Sequence, residues 1–428
     1  MENQSFDTNW SILQKIAFRF VFLFFLLFIV FVNNGTYPLW GYLMKYPNEW
    51  LHHFIPWVGK KILHLSYDIT VFTNGSGDTT YDYVILFVIL VISLTGTLIW
   101  SIVDRRNRNY QTLYYWLTVA IRFYVGLMLI NYGLVKVIKL QFSYPGVYRL
   151  GQLYGDSSPM GLAWTFLGFS RGYNLFMGIA EVSAVLLLFR RTMTAGAIIT
   201  LMTTTNVMAV NYFYDVPVKI VSTALVTMTL FLLAHDLERL LKFLFTGQAV
   251  ALPVIQAPEI ERRWLRIAKW IVKGLILGYS LIYGTIQVLG ARKQYGDQAP
   301  KPPLYGLYQV DLFVKNNDTI PPLMTDTIRW NQLAIQWPGS ANIRYMDAHT
   351  ARYATDVDTV AHELEMTSRS DTTQRYAFQY TLDDSGTFIL NGIQQTDTLL
   401  IRMTRKNLQE FELVKRSFHW INEYPYNR

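Results

Sequence analysis

Seven apolar stretches punctuate the first 290 residues, at about 14–33, 83–103, 114–138, 172–189, 194–213, 218–235 and 267–290. Each is close to the roughly 20 mostly apolar residues that an α-helix needs to cross a hydrocarbon layer. The pattern predicts a helical polytopic membrane bundle of about seven spans. The first stretch begins after Lys15 and leads into Asn33-Asn34-Gly35-Thr36, not into a small-residue cleavage pattern, so it is expected to remain as an anchor. Near residue 291 the chain changes character. ARKQYGDQAPKPP is polar and Pro-rich, which suits a short semi-rigid linker. Beyond it the period becomes two. Tyr308, Val310, Leu312 and Val314 alternate with polar residues, as do Tyr376, Phe378, Tyr380 and Leu382, and then Leu399, Ile401 and Met403. Asn316-Asn317-Asp318, Asp383-Asp384-Ser385-Gly386 and Asn391-Gly392 supply turn signals. About eight antiparallel strands are expected, closed into a small barrel or stacked as a sandwich, since closure removes sheet edges. The barrel is either lipocalin-like, with an apolar interior for a lipid or quinone tail, or filled by its own side chains. The organisation that follows is 1–112 N-terminal membrane helices with an interfacial helix, 113–246 a four-helix core, 247–291 a loop and the last span, 292–303 the linker and 304–428 the β domain.

Composition sharpens this picture. Hydrophobic residues make up 51% and charged residues only 16%, against about 25% charged in a soluble domain. No cysteine is present, which excludes disulfides, Cys-ligated zinc or iron–sulfur centres, and thiol chemistry by this chain. Aromatic residues reach 15%, as expected of long membrane–water borders. A net charge of +8 taken alone suggests nucleic acid. The positions of the charges point elsewhere. Arg105, Arg106 and Arg108 follow the second span, Arg190 and Arg191 the fourth, and Arg239, Lys242, Arg262, Arg263, Arg266 and Lys269 lie between the sixth and seventh. By the positive-inside rule these clusters face the cytoplasm together with the N-terminus. Loops 34–82 and 139–171 and everything after 291 are then outside, and no nucleic-acid partner is expected. In the first outer loop, Trp50, Phe54, Trp57, Val58 and Ile62 share a helical face, with Lys60 and Lys61 toward water, as in a helix lying in the interface. The apolar loop 139–171 is expected to cap the outer mouth of the bundle.

Ionisable residues within spans are functional candidates. Arg122 and Glu181 each lie about eight or nine residues from the cytoplasmic ends of their spans. At 1.5 Å per residue both are roughly 12–13 Å deep, which predicts an Arg122–Glu181 pair. That pair either locks two helices or lets Glu181 handle a proton under the influence of Arg122. Lys136 lies near the outer end of the third span, where it either snorkels or joins Asn131, Tyr132, Asn206, Asn211, Asp215 and Lys219 around an outward polar pocket. Asp215-Val216-Pro217 is also a plausible helix start, and Lys273 is expected to snorkel. His53 shares a face with His64 on the outer helix but is too far from it to chelate one ion, and no metal site is assigned. Thr73-Asn74-Gly75-Ser76-Gly77-Asp78-Thr79-Thr80 is either an anion-cradling loop or a turn that caps the second span.

In AIRFYVGLMLINYGLVKV, Arg122, Gly126, Gly133 and Lys136 resemble the opening core helix of DoxX-family membrane proteins, and Gly178-Ile179-Ala180-Glu181 is similar to that family's Gly-x-x-Glu. The double arginine, a small-residue helix and a final span follow in order, so that the resemblance covers about 114–240. The added helices and the β-rich tail, with its Phe418-His419-Trp420-Ile421-Asn422-Glu423-Tyr424-Pro425 ending, look like the longer DoxX-type proteins of Bacteroidetes. The resemblance implies a bacterial inner-membrane protein with its β domain in the periplasm. It also implies a quinone- or lipid-linked, redox-associated subunit that would need a redox partner for any thiol step. Within that reading Arg122, Glu181 and Lys136 are the catalytic candidates, with Tyr132, Asn131, Asn206, Asn211, Asp215, Lys219 and His53 as binding residues, quinone as cofactor and membrane lipids as partners. A lipid-binding or transporting module and a non-enzymatic scaffold remain alternatives, so enzyme status stays open. A bundle followed by an outer β domain also resembles, distantly, vitamin-K-dependent carboxylases.

Overall fold

The computed structural model describes residues 9–72, 77–416 and 418–427. The chain forms two compact units. One holds the described residues up to Phe142 and then Ser158–Asp297; the other holds Ser143–Ser157 and the residues from Gln298 onward. The helices in chain order are α1 (Ile12–Phe31), α2 (Trp40–Leu43), α3 (Lys45–Lys61), α4 (Thr80–Val103), α5 (Gln111–Val137), α6 (Val147–Gly151), α7 (Pro159–Phe169) and α8 (Arg171–Val182). They continue with α9 (Met193–Phe213), α10 (Lys219–Ala234), α11 (Leu237–Thr246), α12 (Arg263–Leu277) and α13 (Gly284–Ala291). A 3₁₀ stretch, Ser183–Leu188, extends α8, and a π turn, Gly278–Tyr283, joins α12 to α13. Among the described residues, six helices or joined helices are long and apolar enough to cross a membrane; α10 with α11, bent by 77°, makes a seventh if that pair is one span. The chain is thus a membrane protein by length and composition of its helices, which stand in six of the seven places where the hydrophobic pattern put spans; the 218–235 stretch forms α10, only 16 residues long.

α5 is the axis of the first unit. Of its most apolar stretch 67% is buried, against 22–33% for α1, α4, α8 and α9. A helix that is apolar all round is one that others surround. Phe28 of α1, Leu187 beyond α8, Ala197 of α9 and Met228 of α10 pack on its Ile121, Tyr124 and Val125. Starts are set by side chains: Ser11 and Gln14 form a capping box on α1, and Thr79 and Asp82 form one on α4. The second of these matches the turn-and-cap reading of the 73–80 loop, although residues 73–76 lie outside the described residues. The basic clusters come together at one end of the unit. There the Trp10 amide donates to the Arg108 carbonyl, the rings of Tyr114 and His235 meet, and Arg190 Nη1 donates to the Ile255 carbonyl.

Two local expectations are corrected here. On α3 the buried side is Leu51, Ile55 and Val58, whereas Trp50, Phe54 and Trp57 stack on one another along the exposed side, so Val58 belongs to the packed face. Loop 139–171 does not act as a single cap: its residues 143–157, with α6, fold with the β domain.

In the second unit, strands β1 (Gly306–Lys315), β2 (Asp318–Thr319), β3 (Trp330–Trp337), β4 (Ser340–Tyr345), β5 (Thr350–Asp358), β6 (Glu363–Ser368), β7 (Arg375–Leu382), β8 (Thr387–Gln394) and β9 (Asp397–Arg405) form an antiparallel meander. β1 also pairs with β9, which closes β1 and β3–β9 into an eight-stranded barrel, with β2 as a short hairpin arm on β1. Asn316 and Asn317, at φ of 52° and 67°, make that hairpin turn as the sequence predicts. The interior is filled. Trp330, Tyr353, Tyr376, Phe378 and Phe388 interleave with Leu333, Ile343, Leu364, Ile401 and Met403, and the hydroxyls of Tyr345 and Tyr353 satisfy each other at 2.8 Å. Of the two options for the barrel, the packed core is the one formed. A bulge between Val310 and Leu312 reverses the alternation of β1, so that Phe313 points inward in place of Leu312 and Val314. Asn391-Gly392 is not a turn but lies within β8, where any Cβ on Gly392 would collide with the Ala377 carbonyl.

Candidate functional site

Gly133 of α5 and Gly178 of α8 bring two backbones into contact. A Cβ on Gly178 would stand 2.8 Å from the Gly133 carbonyl oxygen and 2.8 Å from the Val137 nitrogen. Small residues at such crossings are how membrane helices approach, because lipid offers no hydrophobic drive to press them together. The crossing fixes the register of the two antiparallel helices. About one turn beyond Gly133, Lys136 meets Glu181, about one turn beyond Gly178. Lys136 Nζ donates to both carboxylate oxygens, at 2.5 and 2.7 Å. The two residues are 6% and 2% exposed. Each charge is costly in a low-dielectric interior, and each supplies what the other lacks. The rings of Tyr132 and Phe142 lie 5.6 and 5.9 Å from Nζ, within cation–π range. Phe142 is held edge-on by Trp164, and the Tyr132 hydroxyl accepts from Asn34 Nδ2 at 2.9 Å.

The expected Arg122–Glu181 pair does not form. Arg122 lies 14 residues before Lys136 on α5, about 20 Å along the axis. Its Nε donates to the Leu187 carbonyl at 2.6 Å. The depth count failed because it measured each residue from its own helix end. α5 starts 11 residues before Arg122, while Leu187 is next to the last residue of the α8 span, so the two ends are not level. Lys273 Nζ donates to the next carbonyl, Leu188, at 3.3 Å, over the ring of Phe189. Arg122 and Lys273 therefore serve the free carbonyls where a helix ends, and these carry its negative dipole end.

The outward polar pocket is not assembled either. Asn131 faces Gly284 of the last span, and Asn206 is exposed on α9. Asn211 is buried and donates to the Val218 carbonyl at 3.2 Å. Asp215, at φ 52°, pairs with Lys219 four residues on, at 2.8 Å, and does not cap α10. The cap comes from Asp78, 141 residues earlier, whose carboxylate accepts from the amides of Lys219 and Ile220 at 2.6 and 3.0 Å. His53 is exposed on α3, and no cluster of three or more potential metal ligands occurs among the described residues.

One intramembrane charge was overlooked. Arg19, in the first span, is 5% exposed. Its guanidinium donates to Tyr110 Oη, Ser101 Oγ and the Asp104 carbonyl, and Tyr110 in turn donates to Asp104 Oδ2 at 2.8 Å. A lone arginine in an apolar run was the available signal. Its partners lie 82–91 residues away in sequence, so the network itself was not legible.

No protein-family model matches the chain, and no solved structure matches it. The uncharacterized protein YwoB of Bacillus subtilis (strain 168) is 35% identical over 125 residues, an alignment that takes in 73% of YwoB and 27% of this chain.

Proposed function

The chain belongs to the same family as YwoB of Bacillus subtilis; because the buried Lys136 and Glu181 of its helical unit close on each other, we propose that it is a non-enzymatic membrane scaffold of the DoxX type. In this reading the helical unit is a rigid anchor for the β domain, in a bacterial inner membrane. The basic end faces the cytoplasm, as the positive-inside rule requires, and the β domain lies outside. The observation that carries the reading is the Lys136–Glu181 pair at the Gly133–Gly178 crossing. Both members are satisfied by each other, and Arg122 is engaged by a carbonyl. A group poised for chemistry near neutral pH needs access to its substrate, and this pair is sealed by Tyr132 and Phe142. The test is a Lys136→Met/Glu181→Met double replacement in a host deleted for the protein. The scaffold reading expects membrane abundance and rescue of the deletion phenotype to survive together. Normal abundance with lost rescue would contradict it.

A second reading, a quinone-linked redox subunit, draws on the aromatic cover of Lys136 and on the Tyr132–Asn34 bond beside it. Its redox partner would be a separate protein, since this chain has no thiol. Quinone extracted from the purified protein at near-unit stoichiometry would favour it, and quinone-free protein would remove its basis. The filled barrel leaves the lipid-carrier alternative without an interior to carry lipid.

A further inference from the structure

The outer wall of the barrel carries a cleft that neither reading of the helical unit uses. Segment 143–157 lies on β1 and β3, where Val147 packs on Leu307 and Ala334. The Tyr148 amide donates to Gln336 Oε1, and Arg344 Nη1 donates to the Gly151 carbonyl at 2.6 Å. Between this segment and strands β3–β5 a space of about 220 Å³ remains. It is smaller than the roughly 300–1,000 Å³ of drug-sized ligand sites, so it suits one or two small residues.

Its lining has a definite polarity. The Arg344 guanidinium is half-buried, and a single N–H of it is engaged among the described residues, which leaves a fork of donors for an anion. Burial pushes its pKa down, while Asp156 and Tyr148 act in the opposite direction without an ion pair forming between Arg344 and Asp156. Asn342 Oδ1 is fully buried and accepts nothing. A buried acceptor without a donor is costly and uncommon. Gln332 gives its amide nitrogen to Gln309 and keeps its Oε1 beside Gly151, 3.2 Å from where a Cβ there would stand. The cleft therefore offers donors at Arg344, and acceptors at Gln332 Oε1 and the exposed carboxylate of Asp156.

We propose that this cleft binds a small zwitterion, a free amino acid or dipeptide, with its carboxylate on Arg344 and its ammonium toward Asp156 and Gln332 Oε1. The site stands on the β unit alone, so it holds or fails apart from the scaffold reading.

The test is titration calorimetry on the full-length protein in nanodiscs, with alanyl-alanine as probe, alanine as a second arm, and the N-acetyl and C-amide dipeptides as controls. Alanyl-alanine or alanine should bind with a dissociation constant in the millimolar range or tighter, and the better of the two arms identifies the ligand size. Each cap should weaken binding at least tenfold. Arg344→Gln should do the same but also loses the bond to Gly151. Asp156→Asn keeps the size of the side chain and should weaken binding at least tenfold with the melting midpoint unchanged, because it removes the counter-charge of the ammonium. No binding by either arm, equal affinity for the capped dipeptides, or an Asp156→Asn protein with unchanged affinity would each overturn the proposal.

Discussion

Glu181→Gln is expected to destabilise the helical unit by about 3–5 kcal/mol, because it leaves the Lys136 ammonium buried without a counter-charge. The substituent is nearly the same size, so packing is not the cause. The loss should appear as reduced membrane abundance and a lower melting midpoint in mild detergent. Lys136→Met should do less, since a lone Glu181 escapes its penalty by taking a proton. That asymmetry separates a structural lock from a catalytic acid. If Glu181 were a catalytic acid or base held in a tolerant environment, Glu181→Gln would leave abundance unchanged.

Gly178→Ala is the second large effect, expected at about 1–3 kcal/mol. The new methyl meets backbone on two sides, the Gly133 carbonyl and the Val137 nitrogen, and backbone does not yield as a side chain does. Gly126→Ala, on α5, provides the contrast. Its nearest neighbour is the Leu188 Cδ2 methyl, the far end of a flexible side chain, and the Ala184 carbonyl is at an ordinary 3.4 Å. Gly126→Ala should stay within about 1 kcal/mol. Because the crossing sets the register that brings Lys136 to Glu181, Gly178→Ala should also weaken the ion pair. Combined with Glu181→Gln it should therefore cost less than the sum of the two.

Much of the architecture was readable because the solvent imposes it. Lipid demands long apolar runs, so the spans were visible in hydrophobicity alone. A barrel with one face inside demands alternation, so β7 and β9 were found with the correct inner faces, Tyr376, Phe378 and Tyr380, then Leu399, Ile401 and Met403, whereas Leu382 at the end of β7 is exposed. What was missed depends on relations between elements. The bulge in β1 moves Phe313 inward, and it is defined by pairing with β9, some 90 residues away. Gly392 has the composition of a turn but the position of a close approach to β7. The partner of Glu181 depended on the offset between α5 and α8, which helix-end counting does not contain. Asp78 replaced Asp215 as the cap of α10 for the same reason: a local rule proposed the nearer carboxylate, and tertiary packing delivered the distant one. Of the candidate residues, Lys136, Glu181 and Tyr132 come together; Arg122, Asn206, Asn211, Asp215, Lys219 and His53 do not join them.

A pair of double-mutant cycles by thermal melting tests the central claim most directly. One combines Lys136→Met with Glu181→Gln, the other Arg122→Met with Glu181→Gln. The account predicts a coupling of about 2–3 kcal/mol for Lys136 with Glu181 and less than about 0.5 kcal/mol for Arg122 with Glu181. A large coupling in the Arg122 cycle, or none in the Lys136 cycle, would contradict it.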